Sequence, residues 1–358
     1  MSKILKLFSG SGAISIIAIV LGLIVGAVVM LIGGYEPLLA YKSLFSQVFG
    51  NTYDFGETLR EITPLILTGF AFAFAARAGL FNIGGEGQFI VGMTAASVIG
   101  IKVHGLPIYI HAPLAVIAGG LFGGIWAALV GYLKAKRGVN EVITSIMLNW
   151  IALYLANFIV RHFLLMEGKQ RSEDILPTAS VSFPWLSDLM DSARIHWGML
   201  IAVLCSVFFY YFMWKTKQGF ELRAVGNNPN AAQYAGMNVG RNVVKAMFIS
   251  GIFAGLAGAF QILGVFHYQS IMSGSPGTGF DGIAVGLIGM NNPFGILLGA
   301  LLFGTLTYGS AGMSFGAGVP PELIRIVIGS IIFFIAAQGI VRGIIKPFYF
   351  KRKKEKVL

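Results

Sequence analysis

Apolar residues in this chain do not alternate with polar ones; they come in runs roughly as long as the ~20-residue helix needed to cross a hydrocarbon core, broken by short polar segments. Each run therefore predicts one membrane-crossing helix. The first is Ser11–Ile32. A mixed segment at 34–62 follows, and its aromatics and charges predict a helix lying along the membrane surface. Further spans are expected at 63–78, 88–103, 112–133, 140–165, 198–214, 243–264, 280–290, 293–308 and 322–341, with a second polar segment at 166–197. The predicted fold class is an all-α integral membrane protein, a polytopic bundle of about ten transmembrane helices with cytoplasmic N- and C-termini. The whole chain, 1–358, reads as one membrane domain with a polar loop at 215–242 and a basic tail at 342–358.

Composition narrows the class further. The chain is 56% hydrophobic and 11% charged, with mean hydropathy +0.77, whereas soluble domains carry roughly 25% charged residues. Its single cysteine, Cys205, excludes an intrachain disulfide, and five histidines without an H-E-x-x-H spacing give no zinc site. The net charge of +11 does not indicate nucleic acid, because 17 of the 26 basic residues fall in five clusters at the ends of apolar runs. Those clusters are Lys3 and Lys6; Lys134, Lys136 and Arg137; Lys215, Lys217 and Arg223; Arg241 and Lys245; and the tail. Nine of the 15 acids lie instead in 34–62 and 166–197. By the positive-inside bias the basic clusters face the cytoplasm and the acidic segments face outward. The glycine pairs Gly22/Gly26, Gly119/Gly123, Gly251/Gly255 and Gly295/Gly299 predict close helix packing and carry no functional reading.

One cytoplasmic stretch, GNNPNAAQYAGM at 226–237, is locally well specified. Asn228 can cap a helix, Pro229 suits its first position, Ala231, Ala232, Tyr234 and Ala235 fill about two turns, and Gly236 can end them in a left-handed conformation. So short a helix needs a partner surface to persist. Docking on another protein and a capped turn in an ordinary loop are both open readings of these residues alone.

Candidate chemistry within the spans is sparse. Glu86 is an acid among apolar runs, with Arg77 as the expected partner, and a buried carboxylate costs on the order of 3 kcal/mol at the bilayer centre. The break at 82–88, containing Asn82, Glu86 and Gln88, either contacts substrate within the bundle or lies at the cytoplasmic end of two spans. A second Gly-rich break at 273–282 follows the seventh span much as 79–87 follows the second. At 100° per residue, Asn149, Trp150, Tyr154 and Asn157 share a sector of about 140°. Amides and aromatic faces there suit the hydroxyls of a sugar and a base ring, or equally interhelical packing. Gln261 and Ser250 share a face with the same two readings, and His267 reads as a structural donor.

The run GFELRAVGNNPNAAQYAGMNV at 219–239 resembles the coupling loop of ABC-importer permeases of the ribose and simple-sugar class. More closely, it is similar to the nucleoside permeases that work with basic-membrane-protein lipoproteins. GLFNIGGEGQF at 79–89 and NEVITSIMLNWIALYLANFIV at 140–160 resemble that family too, and the likeness covers most of the chain beyond the first 60 residues. It implies a nucleoside-importing permease subunit of the bacterial cell membrane, not an enzyme. Docking on a cytosolic ABC ATPase would run through Arg223, Gly226, Asn228, Pro229, Ala231, Ala232, Tyr234 and Gly236. It further implies a second permease chain and an extracellular substrate-binding lipoprotein. The chain has no G-x-x-x-x-G-K-[ST] motif, so ATP would be bound by the partner and no cofactor by this chain. A simple-sugar permease such as one for ribose or galactose is the alternative cargo reading. An ion-coupled transporter working alone is the rival class, and it requires paired acids or a His/Asp relay deep in the spans.

Overall fold

The computed structural model describes residues 11–337; the expected basic residues Lys3 and Lys6 and the tail at 342–358 lie outside the described residues. Among the described residues the chain is helical and contains no strand, only three isolated bridges in its polar segments. The helices are α1 (Ser11–Ile32), α2 (Pro37–Phe49), α3 (Thr52–Arg77), α4 (Gly85–Lys102), α5 (Ile108–Arg137), α6 (Glu141–Ile159) and α7 (Pro184–Leu189). There follow α8 (Gly198–Lys215), α9 (Lys217–Asn227), α10 (Pro229–Tyr234), α11 (Val239–Gln261), α12 (Thr278–Ile288), α13 (Pro293–Ala317) and α14 (Pro321–Ala336). Single π-helical turns extend α6 and α11. Among the described residues, six helices are long and apolar enough to cross a membrane: Thr52–Arg77, Ile108–Arg137, Glu141–Leu164, Gly198–Lys215, Val239–Phe266 and Pro293–Ala317.

The chain divides into two compact units, one of Met1–Asn51 with Thr305–Leu358 and one of Thr52–Gly304. In the first, α1 packs on α14 where Gly22 faces Ile331 and Gly26 faces Val327 and Tyr41. The Tyr41 hydroxyl donates to the Leu23 carbonyl at 2.7 Å.

The second unit is built on α3, α4, α5 and α11. Gly119 and Gly123 on α5 stand against Gly251, Gly255 and Ala259 on α11, so the two backbones meet with almost no side chain between them. Gly92 on α4 joins the same contact. Small residues permit this approach, and dispersion and backbone contacts then replace the hydrophobic drive that lipid cannot supply. Phe70 and Phe74 on α3 interleave edge-on and tilted with Phe209 and Phe253, at centroid distances of 5.6 Å for Phe70–Phe209 and 5.2 Å for Phe74–Phe209.

The start of α3 departs from expectation. The pattern predicts a span from residue 63, preceded by a surface segment, yet the helix begins at Thr52 and runs through Pro64. Its charges are internally matched, which is why the chain need not leave the helix. Glu57 is 1% exposed and binds Arg60 at 2.8 Å and Arg194 at 2.7 Å, joining the two acidic segments of the sequence. The Glu57 hydrogen bond raises the Arg194 guanidinium above its usual range.

Candidate functional site

The stretch at 226–237 folds as its residues dictate. Asn228 Oδ1 accepts the Ala231 N–H at 3.0 Å, Pro229 opens α10, and Gly236 at φ +83° lets the Met237 N–H reach the Ala232 carbonyl at 3.0 Å. Tyr234 is 98% exposed, and Asn228, Pro229, Ala231 and Gly236 are exposed with it. Ala232 is the exception at 4% exposure.

The helix that precedes α10 is tied down at both ends. Thr216 caps α9, and Gln218 bonds Asn242 of α11 at 2.8 Å. At the far end of α9, Gly226 lies directly on the backbone of Arg77 to Gly79: a Cβ there would come within 2.6 Å of Ala78 C and 2.7 Å of the Arg77 carbonyl oxygen. The guanidiniums of Arg77 and Arg223 both stand over the Trp214 ring, at 5.2 and 5.8 Å.

From that contact Arg77 reaches sideways rather than to Glu86. Its Nε donates to the Asn291 carbonyl at 2.8 Å and its Nη2 to the Met290 carbonyl at 3.2 Å, at the C-terminal end of α12. Glu86 takes the other end of the same helix. Its carboxylate is fully buried and accepts from the Ser275 hydroxyl at 2.5 Å, the Gly277 N–H at 2.7 Å and the Gly279 N–H at 2.6 Å. The expected Arg77–Glu86 pair is thus replaced by two separate pairings with one helix. A negative group sits at the positive end of its dipole and a positive group at its carbonyl end. Gly279 has no side chain, which is what lets α12 lie directly on the Gly85–Glu86 backbone.

The 11 residues of α12 span about 16 Å between its two anchored ends, and the 16 residues from Glu86 to Lys102 along α4 span about 24 Å. Beyond Glu86, Lys102 at the end of α4 pairs with Glu173 in the acidic segment at 3.5 Å.

The other candidates in the spans find partners of their own. Asn82 bonds Gln88 through both amide groups at 3.0 Å, and Ser250 at 2.6 Å, so the three close a buried network. Asn149 accepts the Gly87 N–H at 2.8 Å and donates to the Ile83 carbonyl at 3.1 Å, fixing the start of α4. Asn157 pairs with the Met272 backbone in both directions, at 2.7 and 2.9 Å. Trp150 and Tyr154 are 52% and 66% exposed, and their rings stack 6.3 Å apart. Gln261 leaves its carboxamide oxygen without a partner in a buried position. His267 sits in a left-handed conformation and shares its Nε2 with the Ser180 and Ser182 hydroxyls at 3.4 and 3.2 Å, the structural role expected of it. Ser275, Gly277 and Gly279 were visible in sequence only as a Gly-rich break; nothing in it identified Glu86 as their partner. Among the described residues no cluster of His, Cys, Asp and Glu could hold a metal ion.

Comparison with known proteins agrees with this architecture. Residues 55–336 match the family model described as branched-chain amino acid transport system / permease component. The chain is 46% identical to the guanosine ABC transporter permease protein NupP of Bacillus subtilis, over 92% of this chain and 94% of that protein. It is 38% identical to the nucleoside ABC transporter permease protein NupB of Lactococcus lactis, over 92% and 91%. It is 31% identical to the glucose ABC transporter permease protein TsgB13 of Haloferax volcanii, over 89% and 86%.

Proposed function

The chain belongs to the branched-chain amino acid transport system / permease component family, and from that premise we propose that it is the membrane-spanning subunit of an ATP-driven importer of nucleosides. It performs no catalysis itself. The observation that carries the reading is α10, a capped two-turn helix whose Tyr234 is 98% exposed on an otherwise apolar chain. Such a helix fits a groove on a soluble ATPase, which would bind the ATP. The contact of Gly226 with Arg77 to Gly79 then offers a path from that groove to both ends of α12.

Further parts of the reading follow the same premise. Within the described residues the apolar runs of the sequence fall largely on helices, and about ten crossings with both termini cytoplasmic suit the lengths and charges of the runs. A second permease chain, identical or related, would complete the pore, and a substrate-binding lipoprotein would deliver cargo to the acidic face.

Guanosine and nucleoside permeases among the relatives favour a nucleoside; the glucose permease keeps a simple sugar as the second reading. Neutral cargo suits a site in which the protein's own carboxylate already occupies the N-terminus of α12. An ion-coupled carrier is disfavoured because the two fully buried acids among the described residues, Glu57 and Glu86, are both engaged.

The test is affinity purification of the tagged chain from gently solubilised membranes. A cytosolic protein with nucleotide-binding motifs should co-purify and be lost on Tyr234→Glu. A chain that purifies alone and moves solute without ATP would overturn the proposal.

A further inference from the structure

The segment between the π-turn of α11 and the start of α12 is irregular, and its place is unusual for a membrane protein. At its upper end Ser270 bridges to Arg171 and the Ile271 N–H donates to the Gln170 carbonyl at 3.1 Å, in the acidic segment. Asn157 then holds Met272. Five residues later Gly277 is bonded to Glu86, well inside the bundle. Residues 273–276, Ser-Gly-Ser-Pro, thus descend as a strap between two fixed points. Counted along α6, Asn157 lies about 12 Å beyond Asn149, which binds the start of α4 at the level of Glu86. The strap spans that interval, inside the depth of the apolar helices.

All four strap residues are exposed. Their backbone groups make no hydrogen bond to any described residue, and the Ser275 hydroxyl is the one strap group tied down, to Glu86. Irregular backbone at membrane depth cannot face lipid, where its N–H and C=O groups would go unsatisfied; it persists only against protein or water. The two anchors, Asn157 and Glu86, spend their polar groups on holding it open rather than on covering it.

We propose that the strap at 273–276 lines the water-filled translocation path, and that its unpaired peptide groups with the Ser273 hydroxyl form a polar surface for the hydroxyl groups of a neutral, sugar-bearing cargo. This rests on the permease reading above. Mixed donors and acceptors in a short row match hydroxyls, which both give and accept hydrogen bonds. The adjoining Glu86 carboxylate repels anions, so a phosphorylated cargo does not suit the surface.

The experiment is cysteine accessibility in membranes carrying the complete complex, after Cys205→Ser removes the native thiol. Ser273→Cys, a near-isosteric change, and Gly274→Cys would each be treated with a membrane-impermeant thiosulfonate. The control is Leu204→Cys, at a 57% exposed apolar position on α8. Thiolate, the reacting form, arises in water, so the strap cysteines should react at least about tenfold faster than the control. Nucleoside supplied under ATP turnover should slow the reaction, and modification should block uptake. Reaction no faster than at Leu204→Cys would overturn the proposal, as would a disulfide between two chains in place of modification. So would rapid modification that leaves uptake intact and is indifferent to cargo. Failure of the nucleoside reading shows separately: unsubstituted complex that carries a sugar but no nucleoside would sink it, and the sugar would then serve as the protecting cargo.

Discussion

Replacing Glu86 with Ala removes a fully buried carboxylate that accepts three hydrogen bonds. Two of the donors are backbone N–H groups, Gly277 and Gly279, which cannot turn away, while the Ser275 hydroxyl can rotate to another acceptor. Each buried N–H left unpaired costs about 1–3 kcal/mol, and the lost favourable contact with the helix dipole adds up to about 1 kcal/mol. The expected penalty is therefore about 4 kcal/mol, a large share of the roughly 5–15 kcal/mol that holds a typical domain together. Glu86→Gln separates charge from shape. It keeps one oxygen but sets an NH₂ against one of the two backbone donors, so it should lose about half as much. Thermal unfolding of the tagged chain in mild detergent should rank wild type above Gln above Ala. The spread should be on the order of 10 °C between the extremes. Uptake should fall in the same order, because α12 loses its inner anchor while Arg77 still holds its other end. A Glu86→Ala protein with unchanged midpoint and uptake would refute the idea that this carboxylate fixes α12.

Three further predictions concern other parts of the bundle. Asn149→Leu strips the Gly87 N–H and the Ile83 carbonyl of their partner and should lower the yield of folded protein by about 2 kcal/mol of stability, with unchanged KM in what remains; a raised KM at normal yield would instead make Asn149 a cargo contact. Gly123→Val drives a side chain into the Gly251 and Gly255 backbone, and should cost about 3 kcal/mol or abolish insertion; wild-type stability in the same detergent assay would contradict the packing. His196, buried against Phe260 with its Nδ1 accepting the Gly198 N–H, has its pKa pushed down to about 4, chiefly by burial. Unfolding releases it to titrate near its ordinary value of ~6.5. Its contribution is thus complete above about pH 6.5 and is lost as the pH falls toward 4, amounting to about 3 kcal/mol. His196→Asn should flatten that part of the stability–pH curve, and an unaltered curve would exclude His196 as its source.

Local signals and long-range pairings differ in how far the amino-acid order reveals them. The cap at Asn228, Pro229 at the first turn and the left-handed Gly236 are written within nine residues, so α10 was legible. The helix runs were legible because lipid demands their length. The partner of Glu86 was not, since Ser275 stands 189 positions away and Arg77 offered a nearer charge. The same cause hid the start of α3: Glu57 and Arg60 look like surface residues until Arg194, 137 positions on from Glu57, completes the group. Asn82, Gln88 and Asn149 were legible as interior amides, but whether an interior amide faces cargo or another helix depends on neighbours the pattern does not name. Ala232 looked interchangeable with its exposed neighbours, and only the folded chain shows it buried.

The most direct test of the central claim is nucleoside uptake into vesicles holding the complete complex, with and without ATP inside, for the unsubstituted chain and for Tyr234→Ala. Uptake that requires ATP, and that falls at least about tenfold, roughly 1.4 kcal/mol of coupling, in Tyr234→Ala while the chain remains folded, is the predicted result. Uptake that runs without ATP, or that Tyr234→Ala leaves unchanged, would contradict it.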